Sequence, residues 1–168
     1  MIAAFAERLG ARLDAAGPAG IAEFVASELR ALIGRGLALE GRFREPGRAR
    51  YRRHLVHVEP AGRFSILALV WRPGQASPVH SHTGWCVVGV LEGALDELLY
   101  RRPDPAAASP VVELSRRRFG PADVTFLPVG PESIHRIRNG AADTAISLHV
   151  YGRDLRRDAN AINRVVAA

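Results

Sequence analysis

Six histidines are the residues of this 168-residue chain best suited to chemistry, and two of them are separated by a single residue. His80 and His82 stand in a segment typical of a β-strand, where residues two apart point to the same face about 7 Å apart along the backbone. Two imidazoles that project together into a barrel interior can bind one metal ion. A histidine that stands alone is usually a packed or surface residue, and His54 and His57 receive no role.

A second polar group recurs at alternate positions near the end of the chain. Ser147, His149 and Tyr151 stand in the strand-like segment TAISLHVYG. Because side chains alternate between the two faces of a strand, all three are predicted to share one face. Each residue alone would be ordinary in a strand, whereas the three together indicate a functional surface.

Short strand-like segments from residue 51 onward must position these side chains. Eight of them, broken by Gly and Pro, favour a β-sandwich or small barrel: YRRHLVHV, FSILALVW, PVHSHTGWCVVGVLE, ALDELLYR, PVVELS, DVTFLP, SIHRIR and TAISLHVYG. The low-complexity stretch RRPDPAAASP is predicted to be an exposed loop. If the third segment remains one regular strand, Gly84 and Cys86 share the face of His80 and His82.

Two helices are predicted ahead of the strands. Apolar residues recur there at helical spacing: Ile2, Phe5, Ala6, Leu9 and Leu13, then Ile21, Phe24, Val25, Leu29, Leu32 and Ile33. Pro18 suits the first turn of the second helix, and Gly34 and Gly36 are expected to end it. We therefore predict a single domain over 1–168, with a helical segment at 1–40, a β-barrel at 51–152 and a C-terminal extension at 153–168.

The composition is typical of a globular protein, with 48% hydrophobic and 24% charged residues. Charged residues interrupt the apolar N-terminus, so we expect it to be part of the fold rather than a secretory signal. The absence of a run of about 18 apolar residues predicts no membrane span. A single cysteine, Cys86, excludes an internal disulfide framework. Together these features predict a cytoplasmic protein.

The net charge is +6, and all 23 basic residues are arginine. The arginines are spread along the chain, and the densest run, Arg116-Arg117-Arg118, has no interleaved aromatic residues for stacking on bases. We therefore expect no nucleic-acid partner. A basic balance favours small anionic substrates instead.

Two motifs in the chain resemble those of the cupin family. The first cupin motif is Gly, five residues, His-x-His, three or four residues, usually Glu, six residues and Gly; it is matched here by Gly74, His80-Ser81-His82, Cys86 and Gly93. The second, with a gap two residues longer than its common form, is matched by Pro128-Val129-Gly130, His135 and Asn139. The resemblance implies a mainly β fold, the cupin double-stranded β-helix or small jelly-roll barrel, with a metal held by His80, His82 and His135.

Cys86 stands where most cupins have their metal-binding glutamate. Without that carboxylate the site is a neutral three-histidine set rather than the two-histidine, one-carboxylate iron triad. Such a site resembles that of the thiol dioxygenases, which include cysteine dioxygenase and 3-mercaptopropionate dioxygenase. The segment from Ser147 to Tyr151 is similar to that family's Ser-x-His-x-Tyr strand. The resemblance implies Fe(2+), catalytic roles for Ser147, His149, Tyr151 and Cys86, and a thioether crosslink between Cys86 and Tyr151.

The same resemblance extends to the substrate pocket. Tyr51-Arg52-Arg53 is similar to the strand of cysteine dioxygenases in which Tyr and Arg line the pocket, and Trp71 also occupies a familiar position. We therefore expect Tyr51, Arg53 and Trp71 to bind a small carboxylated thiol. Arg52 is the residue that a register error of one position would select instead.

The choice of thiol depends on features that point in two directions. Arg53 together with Cys86 resembles cysteine dioxygenase, whereas Trp85 and Tyr151-Gly152 resemble the mercaptopropionate branch. Recognition of a carboxylate by Arg is the most direct discriminator, so the expected reaction is oxidation of L-cysteine by O2 to its sulfinic acid. Oxidation of 3-mercaptopropionate is the alternative within the family.

Two functions from other classes stay open at this point. A zinc or manganese cupin isomerase or hydrolase would use the same histidines, since zinc also accepts three imidazoles and a water. A non-catalytic cupin that binds a small molecule is the second, although retention of all three histidines counts against it. We expect the protein to act as a monomer or homodimer.

Overall fold

Two helices precede two β-sheets in the computed structural model, which describes residues 1–103, 110–156 and 163–166. The helices are α1 (Ile2–Ala16) and α2 (Ile21–Gly34), and a 3₁₀ turn follows at Gly41–Phe43. The strands are β1 (Arg52–Val58), β2 (Ser65–Trp71), β3 (His80–His82), β4 (Cys86–Glu92), β5 (Leu95–Arg101), β6 (Val112–Phe119), β7 (Val124–Phe126), β8 (Gly130–Arg138), β9 (Ala145–Tyr151) and β10 (Asn163–Val165). This architecture confirms the predicted mainly β fold with N-terminal helices.

The strands of the described residues form two five-stranded sheets. Sheet I has the order β1-β2-β9-β4-β7, and sheet II has the order β10-β3-β8-β5-β6. Neighbouring strands in both sheets are antiparallel. Consecutive strands therefore alternate between sheets in places, and the residues facing the space between the sheets come from distant parts of the chain.

The segment predicted as a single third strand is in fact two strands. The chain bends at residues 83–85 and passes from β3 in sheet II to β4 in sheet I. The expectation that Gly84 and Cys86 continue the face of His80 and His82 is therefore wrong. Because the change of sheet resets the side-chain alternation, Cys86 reaches the barrel interior from the sheet opposite the two histidines.

Both faces of the central strands of sheet I are covered. Ile66, Ala68 and Val70 of β2 pack with the helices, whereas Leu67, Leu69 and Trp71 face the barrel interior. Every residue of β2 and β9 is consequently buried.

Glycine at position 89 permits the close approach of α2 to sheet I. A Cβ atom there would lie 2.8 Å from Ile33 Cδ1 and 2.9 Å from Leu29 Cδ2. The helices thus cover the outer face of the sheet, and the inner face remains available for polar side chains.

Details at the chain ends complete the fold. Helix α2 begins at Ile21, after Gly20 in a left-handed conformation (φ 63°), rather than at Pro18. Strand β10 stands in the predicted C-terminal extension and pairs with β3. The central part of the predicted RRPDPAAASP loop, residues 104–109, lies outside the described residues.

Neither α1 nor α2 combines the length and apolar character that crossing a bilayer requires.

Candidate metal centre

Strand pairing brings the three predicted metal ligands together. His80 and His82 share one face of β3, and His80 is directly opposite His135 on the neighbouring strand β8. All three residues are buried, with exposed fractions of 6%, 8% and 4%. Their ligand atoms lie within 4.8 Å of one another. The Nε2 atoms of His82 and His135 are 3.1 Å apart. Two nitrogens that bind one ion through bonds of ~2.1 Å, at a right angle to each other, would lie ~3 Å apart, which is close to this distance.

Hydrogen bonds orient two of these imidazoles. His80 Nδ1 lies 3.0 Å from the carbonyl oxygen of Pro78, and His135 Nδ1 lies 2.9 Å from Glu97 Oε1. Because both partners accept, each Nδ1 carries the ring proton and each Nε2 has a free lone pair. The two rings are therefore oriented and protonated as metal ligands require.

Burial keeps His80 and His82 neutral. Desolvation, followed by the neighbouring His135, lowers the pKa of His80 to about 4. Desolvation and the neighbouring imidazoles lower the pKa of His82 to about 2. Because a metal binds the unprotonated ring nitrogen, these pKa values leave His80 and His82 ready to bind a cation at neutral pH.

A hydrogen-bonded chain of four side chains runs along the same cavity. Trp71 Nε1 donates to Ser147 Oγ at 2.9 Å, Ser147 Oγ lies 3.0 Å from His149 Nε2, and His149 Nδ1 lies 3.1 Å from the Tyr151 hydroxyl. The Tyr151 ring centroid is 6.1 Å from that of His82. The chain therefore ends beside the three histidines.

The direction of the hydrogen bonds follows from the indole. The Trp71 N–H can only donate, so Ser147 Oγ accepts it and is free to donate its own hydrogen to His149 Nε2. His149 Nδ1–H then donates to the Tyr151 oxygen, and the tyrosine O–H is left to point elsewhere. Desolvation, with smaller effects from nearby charges, lowers the pKa of His149 to about 3 and so keeps the ring neutral.

Cys86 is the direct cross-strand neighbour of Tyr151 in sheet I. Opposed residues of antiparallel strands have Cβ atoms ~4.5–5.5 Å apart, within reach of each other's side chains. Burial raises the pKa of the Cys86 thiol, against a hydrogen bond with Tyr151. Burial, followed by the electrostatic effect of the neighbouring Cys86, raises the pKa of Tyr151 well above its ordinary value. Both groups are therefore protonated in this environment.

All predicted site residues other than Cys86 and Ser147 line one small cavity, with about 330 Å³ of empty space that includes its opening. The Tyr51 ring stacks on Trp71, with centroids 4.2 Å apart and planes at 19°. Arg53 lines the cavity, whereas Arg52 is exposed and pairs with Glu45 at 3.0 Å. The register of β1 therefore directs Arg53, rather than its neighbour, toward the histidines.

Glu97, Thr125 and Asn163 also belong to the site, although none of them was predicted from the sequence. Glu97 is 2% exposed and accepts hydrogen bonds from His135 and, at 3.0 Å, from Thr125 Oγ1. Asn163 lines the cavity from β10. A buried acid in the apolar segment ALDELLYR was a possible signal for Glu97, whereas no sequence pattern marked Asn163. His54 and His57 lie away from the cavity, beside the Glu45 carbonyl and the Phe64 ring.

Comparisons with known proteins agree with this architecture. The sequence profile described as cysteine dioxygenase type I matches residues 41–159, more than half of the chain. Cysteine dioxygenase type 1 of Homo sapiens is 32% identical over 106 residues, which are 61% of this chain and 50% of that protein. The chain thus spans about half the length of the curated relatives it matches.

Two solved structures share the fold. The protein TT1209 from Thermus thermophilus has a TM-score of 0.54 at 21% identity, over 70% of this chain and 96% of that one. An uncharacterized conserved protein with a double-stranded β-helix domain from Klebsiella pneumoniae has a TM-score of 0.53 at 16% identity, over 79% and 98%. These likenesses confirm the predicted double-stranded β-helix.

Proposed function

The chain belongs to the cysteine dioxygenase type I family, and on that premise we propose that it is an iron(II)-dependent thiol dioxygenase whose substrate is a small carboxylated thiol, L-cysteine in the first instance. The reaction adds both atoms of O2 to the thiol sulfur and yields a sulfinic acid. The sulfur loses four electrons and O2 gains them, so no further reductant is required. The observation that carries the proposal is the hydrogen-bonded chain from Trp71 to Tyr151 beside three convergent histidines.

The donor set fits iron(II). His80, His82 and His135 would hold the ion through three neutral nitrogens, a number that leaves positions of an octahedral shell for other ligands. Iron(II) held there would supply the activation of dioxygen next to the substrate sulfur. Glu97 adds a buried carboxylate behind His135, a negative charge that three neutral imidazoles do not supply.

Arg53 and Tyr151 are the residues that act on the substrate in this proposal. The Arg53 guanidinium would bind the carboxylate by a bidentate, charge-assisted pair. Tyr151, neutral because its pKa is raised by burial, keeps an O–H that can donate toward the substrate. His149 holds the tyrosine oxygen in place, and Ser147 and Trp71 hold His149.

The arginines at the mouth of the site support an anionic substrate. A wider cleft adjoins the cavity and shares Tyr51, Arg53, Ser77 and Asn163 with it. Arg50, Arg52, Arg53 and Arg136 line this cleft, and its described lining contains no acidic residue. A concave surface lined by one sign of charge raises the local concentration of counter-ions.

Oxygen uptake by anaerobically iron-loaded protein tests the activity. We expect thiol-dependent consumption of O2 with L-cysteine, and formation of the sulfinic acid in equal amount. 3-Mercaptopropionate, mercaptosuccinate and cysteamine are the comparison thiols, and cysteamine lacks a carboxylate. Absence of thiol-dependent uptake with all four compounds contradicts the proposal.

Arg53→Gln tests the carboxylate contact, and Arg52→Gln, which removes one positive charge from the cleft but not from the inner cavity, is the matched control for the loss of charge. A hydrogen bond to a charged group contributes ~1.5–3 kcal/mol, so losing it should raise the KM for cysteine roughly 10- to 150-fold. Turnover of cysteamine should not change. Equal effects of the two variants on cysteine turnover would mean that Arg53 does not contact the carboxylate.

3-Mercaptopropionate is the second candidate substrate, and one contact favours it. The Gly152 N–H donates to the Trp85 carbonyl at 2.9 Å, and a Cβ atom on Gly152 would collide with the Trp85 indole. The two residues that resemble the mercaptopropionate branch therefore form one packed unit. The ratio of kcat/KM for the two thiols decides between them.

A zinc or manganese isomerase or hydrolase would use the same three histidines. Reloading the metal-free protein with iron, zinc or manganese separates it from a dioxygenase. We expect thiol-dependent oxygen uptake with iron and none with zinc, because the reaction needs a metal that changes its oxidation state, and zinc does not.

A further inference from the structure

The C-terminal strand β10 runs beside the strand that carries two of the candidate ligands. Its register puts Asn163 opposite His82 and Arg164 opposite Ser81. Directly opposed residues of antiparallel strands have their side chains on the same face, with Cβ atoms ~4.5–5.5 Å apart. Asn163 accordingly lines the same cavity as the three histidines.

Two buried polar atoms at this register position lack a hydrogen-bond partner. Within the part of the chain that the structure describes, they are His82 Nδ1 and Asn163 Oδ1. A neutral imidazole that binds a metal through Nε2 carries its proton on Nδ1, which is then a donor. An amide oxygen accepts and does not donate. The two atoms are therefore complementary.

The other two histidines show what His82 lacks. The Nδ1 of His80 has the Pro78 carbonyl as its acceptor, and the Nδ1 of His135 has the Glu97 carboxylate. Metal-binding histidines almost always donate their second ring N–H in this way, which sets both the tautomer and the orientation of the ring.

We propose that Asn163 is the positioning residue for His82: its Oδ1 accepts the hydrogen of Nδ1 and so holds Nε2 toward the metal. Asn163 lies beyond residues 41–159, the part of the chain that matches the family, so the match assigns it no role. The inference rests on the proposed function in one respect, because it requires a metal at the three histidines. It adds that the C-terminal strand completes the site.

Metal affinity of the full-length chain tests this role without turnover. Fe(II) is titrated anaerobically against a chromophoric chelator, and Co(II) serves as a spectroscopic probe of the ligand set. Asn163→Ala removes the acceptor, Asn163→Asp keeps one, and Arg164→Ala is the control at the next, exposed position of β10. Thermal unfolding of each metal-free protein reports separately on folding.

We expect Asn163→Ala to weaken Fe(II) binding roughly 10- to 100-fold and to change the Co(II) absorption bands. Asn163→Asp should retain most of the affinity, and Arg164→Ala should match the wild type. The proposal is overturned if Asn163→Ala binds Fe(II) as tightly as the wild type. It is also overturned if the Asp and Ala variants lose affinity and thermal stability equally, since that result indicates packing alone.

The proposed function fails in a different measurement. A wild-type protein that binds Fe(II) but consumes no O2 with any of the four thiols overturns the dioxygenase activity, and the affinities of the Asn163 variants still decide the positioning role. A wild-type protein that binds neither Fe(II) nor Co(II) overturns both.

Discussion

Replacing Glu97 by glutamine removes the carboxylate behind His135 while it keeps the size of the side chain and one acceptor oxygen. In the native protein Glu97 Oε1 lies 2.9 Å from His135 Nδ1, and both side chains are at most 5% exposed. Screening by solvent is therefore slight, and the loss of charge acts at nearly full strength on the imidazole and on a cation bound to it.

The size of the effect follows from the hydrogen bond that changes. A hydrogen bond to a charged group contributes ~1.5–3 kcal/mol, and a neutral one ~0.5–1.5 kcal/mol. The variant should therefore lose ~1–2 kcal/mol of metal binding, which is a roughly 5- to 30-fold weaker affinity. Thr125 Oγ1 donates to the other carboxylate oxygen at 3.0 Å, and in the variant its hydroxyl can accept from the glutamine NH2, which leaves the glutamine oxygen to accept from His135.

The assay is anaerobic competition for Fe(II) with a chromophoric chelator. Asp96→Asn is the matched control, because Asp96 is the adjacent buried acid of β5 but pairs with Arg118 at 2.8 Å rather than with a histidine. Wild-type affinity in Glu97→Gln, or an equal loss in Asp96→Asn, would refute the reasoning that the carboxylate acts through His135.

Three further results are expected. Tryptic mass spectrometry of aerobically prepared protein should find the peptides of Cys86 and Tyr151 joined with the loss of two hydrogen atoms, with O2 as oxidant; only separate, unmodified peptides would exclude the crosslink. The folded pKa of His149, about 3, lies below the unfolded value near 6.5, so the unfolded state binds more protons in this window. His80 and His82 contribute with the same sign, so metal-free wild type is compared with metal-free His149→Gln in chemical denaturation. As the pH falls below about 6.5, the free energy of unfolding of the wild type should fall by up to ~1.4 kcal/mol per pH unit more than that of the variant, and equal slopes would mean that the ring is already charged. Gly152→Ala should destabilise the protein by ~1–3 kcal/mol in urea, because its Cβ would collide with Trp85; an unchanged midpoint would contradict that packing.

The fold was predictable because its signals are local. The helical spacing of apolar residues in α1 and α2, and the short segments broken by Gly and Pro, are each a property of consecutive residues. The failure at residues 83–85 has a physical reason as well. The chain needs only a short bend to pass from one sheet to the other, and the residues on both sides of the bend have the pattern of one continuous strand.

The candidate ligands were predictable for a similar reason, since strand alternation and motif spacing single out His80, His82 and His135. The residues that lie behind these ligands were not predictable from the sequence. Glu97 meets His135 because β5 and β8 are neighbours in sheet II, and Asn163 meets His82 because β10 pairs with β3. Such pairings join residues far apart in the sequence, and no local pattern specifies them.

By itself, then, the sequence determined the classes of element, the three histidines and the Ser147-His149-Tyr151 face, because these depend on residue type and on spacing along one strand. Tertiary structure decided that Arg53 rather than Arg52 faces the inner cavity. It also decided that Cys86 lies on β4, opposite Tyr151, and not on the strand of His80 and His82. Finally, it placed Glu97 beside His135 and Asn163 opposite His82. The physical reason is register. A side chain's surroundings are set by the strand opposite it, and a shift of one residue turns it to the other face.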